Sequence, residues 1–132
     1  MFLHLLSKEE QETFLSIANE LITVDGEVDK QELERIQNFT KEIYGDKEFN
    51  FKSYNELTNI DSIFESKEAK RICLIELIGL CYVDGVYCEK EREFIRSFAK
   101  KIKVNSDGLS QIENWVNDFV KVFNEGVELI KK

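Results

Sequence analysis

The chain has 132 residues, no proline and six glycines, with 42% apolar and 11% aromatic residues. That composition can bury one core and excludes a disordered tail, while the shortage of Pro and Gly argues against an all-β fold with its many turns. The formal net charge of −8 removes any general attraction to phosphate backbones, so nucleic acid is not an expected partner.

The chain opens on Met1-Phe-Leu-His-Leu-Leu6, which lacks the basic leader and cleavage site of a signal peptide. Ser7-Lys-Glu-Glu10 is a capping box, and Phe14, Leu15, Ala18, Leu21 and Ile22 recur with the helical period over about residues 8–24. Gly26 can end that helix in the left-handed conformation. Asp29-Lys-Gln-Glu32 is a second capping box. Leu33, Ile36, Phe39, Thr40 and Ile43 continue the helix behind it to Tyr44, where Gly45 stops it.

Residues 46–66 show weak periodicity, with short turns expected at Tyr54–Leu57 and Ser62–Phe64. A third helix is expected from Lys67 to Val83. Its second half is apolar nearly all round, which predicts a central position, and at twelve residues the run is too short to cross a bilayer. Gly85 ends it and Glu89 begins a fourth, with Phe94, Ile95, Phe98, Ala99 and Ile102 on its inner face. Asn105-Ser-Asp-Gly108 is turn chemistry. A last helix over about 110–130 carries Ile112, Trp115, Val116, Phe119, Val120, Phe123, Val127 and Ile130 on one stripe.

Shifted by 59 residues, positions 15–43 fall on 74–102 with eleven identities in 29 and no gap. Each unit reads as helix, Asp-Gly corner, helix. The expectation is one all-α domain over residues 1–132. It is a bundle of two repeated hairpins, about 8–45 and 67–104, closed by the helix at about 110–130.

The corners share Val-Asp-Gly followed, after five residues, by Glu. One reading is structural: the glycine ends a helix, and Glu32 or Glu91 caps the next. The other brings Asp25, Glu32, Asp84 and Glu91 together as oxygen ligands for a hard cation such as Ca²⁺ or Mg²⁺, with Glu27, Asp29 and Glu89 nearby. Neither corner is an EF-hand, because the alternating ligands before the glycine are missing.

Other chemistry-bearing residues are few. Cys73, Cys81 and Cys88 make no Cys-x-x-Cys, and His4 is the one histidine. A zinc site is therefore not expected, and a reducing cytoplasm fits the thiols. Cys88 precedes a helix N-terminus, where thiolate is favoured, and is the candidate reactive thiol. Glu76 falls in the apolar part of the third helix and needs a partner or a raised pKa. Arg92, Arg96, Lys100 and Lys103 line the fourth helix as a solvated face or a patch for an acidic partner. No nucleophile elbow or nucleotide-binding Gly-rich loop is recognisable.

Leu21-Ile-Thr-Val-Asp-Gly-Glu-Val-Asp-Lys-Gln-Glu32 and Leu80-Cys-Tyr-Val-Asp-Gly-Val-Tyr-Cys-Glu-Lys-Glu91, each with its following helix, resemble the TerB-like domain named for a tellurite-resistance protein. The resemblance covers roughly residues 8–104. Val24 and Val83 stand where that family usually has Ala. Val86, Tyr87 and Cys88 stand where acidic or small residues are common. The resemblance implies duplicated helical hairpins in a cytoplasmic protein of a stress or resistance system. It implies acidic residues that bind divalent cations, and no enzymatic activity. Two functional classes follow: a binding module with a cation at its acidic corners, or a protein–protein interaction domain whose corners are structural only.

Overall fold

The computed structural model describes residues 1–24, 26, 28–48, 50–82 and 87–132. The expected corner ligands Asp25 and Asp84 lie outside the described residues, as do Glu27, Val83, Gly85 and Val86. The described residues form helices and connecting segments, with no strand. The helices are α1 (Lys8–Leu21), α2 (Lys30–Tyr44), α3 (Ile60–Ile63), α4 (Lys67–Cys81), α5 (Glu89–Lys101) and α6 (Ser106–Lys131), with single 3₁₀ turns at Leu3–Leu5 and Tyr54–Glu56. Among the described residues no helix is long and apolar enough to cross a membrane.

Local chemistry sets the helix ends. Ser7 and Glu10 close both bonds of their capping box, Glu10 N donating to Ser7 Oγ at 3.2 Å and Ser7 N to Glu10 Oε1 at 2.7 Å. Gly45 ends α2 at φ 63°, a conformation glycine adopts without steric penalty. α5 stops without a glycine. Lys103 takes φ 62°, while Val104 N donates to Ala99 O at 2.9 Å and Lys103 N to Lys100 O at 3.1 Å, the paired bonds of a Schellman cap.

Three boundaries differ from the sequence expectation. α1 ends at Leu21, not Val24. α4 ends at Cys81. α6 begins at Ser106 because Asn105 is not a turn residue but a cap, its Oδ1 accepting from Gly108 N at 2.8 Å.

α1 packs on α2 and α4, and α4 packs on α5 and α6, so α4 is central. Positions matched by the 59-residue shift share their burial. Leu15 and Leu74, Leu21 and Leu80, Ile36 and Ile95, and Phe39 and Phe98 are all in the core. Phe14 meets Phe39 edge-on at 5.8 Å, and Phe64, held just after α3, meets Phe98 edge-on at 6.4 Å. Leu33, which shares the apolar spacing of α2, is exposed, because it lies at the edge of the face that buries Ile36 and Phe39.

Candidate functional site

Glu32 and Glu91 are each the third residue of a helix, α2 and α5. Both are buried, at 3% and 4% exposure. Ahead of α2, Asp29 Oδ1 accepts from Gln31 N at 2.8 Å and Glu32 N at 3.3 Å. The residue matching Asp29 in the second hairpin is Cys88, whose backbone N–H donates to Glu91 Oε1 at 2.9 Å. Glu91 therefore serves as a helix cap.

Cys81 is buried at the end of α4. Burial pushes its thiol pKa up, followed by the negative charge of Glu91 and, more weakly, of Glu32. Among the described residues, no three of His, Cys, Asp and Glu stand together as a metal-binding group.

Cys88 stands at the N-cap of α5, half-buried. Burial raises its pKa, and the first-turn amides of Glu91 and Lys90 only partly offset this. The thiolate is thus not favoured there, although the position is a helix N-terminus. Cys73 is buried, and its thiol pKa is raised by burial and then by Glu76.

Glu76 is buried. Its Oε1 accepts from Phe2 N at 2.7 Å and pairs with the Met1 amino group at 3.0 Å. Three of the basic residues in and just after α5 have partners. Arg92 lies over the Tyr87 ring at 4.2 Å and faces Glu113 Oε2 at 3.6 Å. Arg96 meets Glu89 at 3.4 Å, and Lys103 meets Asp61 at 3.5 Å. Lys100 is exposed, as is His4.

The apolar stripe of α6 divides into two parts. Leu109, Ile112 and Val116 are buried against the bundle. Beyond them Trp115, Phe119, Val122, Phe123, Leu129 and Ile130 stay open to solvent, from 37% at Phe119 to 84% at Ile130. A 26-residue helix is about 39 Å long, whereas the 15-residue α4 on which it packs spans about 22 Å. The last third of α6 therefore outruns its support. With ordinary side-chain areas, the six residues expose on the order of 700 Å², more than the roughly 300–600 Å² of the largest patch on a typical monomer. The stripe was visible in the sequence, but its lack of cover was not. Comparing the lengths of the two helices is the signal that finds it.

No family model, no curated protein and no solved structure matches the chain.

Proposed function

We propose that the chain is a non-catalytic binding domain of the TerB-like kind, acting in a stress or resistance system of the cytoplasm. It works by docking a protein partner on the outer face of α6. The observation that carries this reading is the run of exposed aromatic and aliphatic side chains from Trp115 to Ile130, a surface that a protein keeps out of water only by contact. A photo-activated crosslinker in place of Asn124 tests it. Irradiation in cells should yield a discrete adduct that Phe123→Glu abolishes. Absence of an adduct, or one indifferent to Phe123→Glu, overturns the reading.

A second reading, a divalent cation held by Asp25, Glu32, Asp84 and Glu91, is favoured by the burial of two carboxylates, Glu32 and Glu91, in the first turns of α2 and α5. Carboxylates brought close together repel one another, and a bound Ca²⁺ or Mg²⁺ would relieve that repulsion and stabilise the folded state by mass action. On this reading the melting temperature rises with Ca²⁺ or Mg²⁺ at about millimolar concentration, and the double change Asp25→Asn with Asp84→Asn removes the rise. A response no larger than that to matched ionic strength overturns it.

A further inference from the structure

Phe119, Phe123, Gly126 and Ile130 follow one another at spacings of four, three and four residues, the rhythm of a coiled-coil seam. Val122 and Leu129 flank the seam on one side, and Val120 and Val127 on the other. Asp118, Lys121, Glu125 and Glu128 lie on the opposite arc, by the 100° step of a helix. The seam is thus free of charge along the unsupported part of α6.

We infer that this seam pairs with the same seam of a second copy of the chain, the two α6 helices running antiparallel. The inference rests on the docking reading above and names its partner. Two features select a second copy. The exposed area, on the order of 700 Å² per chain, is close to the roughly 800 Å² per partner of a standard stable interface. The seam also complements itself in one direction only. In an antiparallel pair Phe123 meets the partner's Gly126 and Phe119 meets the partner's Ile130, and the two-fold axis repeats both layers. A Cβ built on Gly126 would meet nothing within 4 Å, so the space over that glycine is open to a ring. A parallel pair would instead set Phe123 against Phe123 and leave glycine facing glycine, which alternates crowding with voids.

The body of the domain extends the same surface. A pocket of about 100 Å³ opens beside Phe119, walled by Arg35, Phe39, Ile75, Gly79 and Trp115. The antiparallel register brings the partner's Ile130 to its mouth.

Light scattering across a concentration series gives the first readout. The mass should move from 15.5 kDa to twice that value, and Phe123→Glu and, separately, Leu129→Glu should hold it at the monomer while leaving the melting temperature of the dilute chain in place. Register is read in a Cys88→Ser background. Val122→Cys and Leu129→Cys chains, mixed and oxidised, should form the mixed disulfide in excess over either self-disulfide. A chain that stays monomeric at every concentration overturns the self-pairing. Should the Asn124 crosslinker then still capture a different protein in a Phe123-dependent way, the docking reading stands alone. Should it capture nothing, both are lost. A dimer in which each cysteine variant prefers its own kind, or one unaffected by Phe123→Glu, also overturns the arrangement.

Discussion

Trp115 and Phe119 stack with ring centroids 5.5 Å apart and planes 20° from parallel, and yet they are 44% and 37% exposed. The stack runs on to Phe123 at 6.3 Å. Aromatic rings on one helix face gain from such contact, but here one side of the row stays wet. The core of the domain holds Phe14, Phe64 and Phe98, and this row lies outside it.

The two parts of α6 should respond differently to truncation. Ile112→Ala removes a buried side chain and should cost about 2–5 kcal/mol. Phe123→Ser should change the stability of the dilute chain by less than about 0.5 kcal/mol. Urea unfolding of both variants checks this, and equal losses would show that the outer rings support the monomer.

Glu91→Ala should destabilise by about 1 kcal/mol, the ordinary worth of a cap, because it leaves the Cys88 N–H without its acceptor. Glu91→Gln keeps an acceptor oxygen and should recover most of the loss. Urea midpoints measure both; an Ala variant as stable as the parent would remove the capping role.

High pH should weaken the fold. Burial raises the pKa of Cys73, Cys81 and Tyr87 in the folded chain above ordinary values of 9.0 for the thiols and 10.0 for the phenol. The unfolded chain releases these protons as pH passes those ordinary values, while the folded chain still holds them. The unfolded state then binds fewer protons, so stability is full below about pH 9 and falls above it. Melting curves between about pH 8 and about pH 10.5 check the sign, and Cys81→Ala should flatten part of the fall. A melting temperature that holds or rises over this range contradicts it.

Much of the helical layout was legible because its signals are local. Ser7 with Glu10, Asp29 ahead of α2, and Gly45 each act within one turn of the chain. Ile36 and Ile95, and Phe39 and Phe98, matched by the 59-residue shift of the sequence, are all buried. The misreadings have tertiary or conformational causes. Leu33 sits on the apolar spacing of α2 but at the edge of its buried face. Asn105-Ser-Asp-Gly108 suits a turn and a helix start equally, and Asn105 caps. The acceptor role of Glu76 depends on the backbone of Phe2, 74 residues away, a pairing that no spacing announces. Of the candidate site, Glu32 and Glu91 are placed at the corners, while Asp25 and Asp84 lie outside the described residues.

Lys103 gives a prediction of the opposite sign. A side chain in the left-handed region costs about 1–2 kcal/mol, and the Lys103–Asp61 pair is exposed at 3.5 Å, where such pairs contribute roughly 0–1 kcal/mol. Lys103→Gly should therefore raise the stability by about 1 kcal/mol. A lower urea midpoint for the glycine variant would mean that the ion pair outweighs the backbone relief.

Amide hydrogen exchange along α6 tests the central claim most directly, because a helical overhang of some ten residues is marginal without a partner. In the dilute chain, residues 109–116 should exchange slowly and residues 121–131 fast. Raising the concentration should slow residues 121–131 in the parent and leave them fast in Phe123→Glu. Protection of residues 121–131 equal to that of 109–116 in the dilute monomer, unchanged by concentration and by Phe123→Glu, would contradict the account.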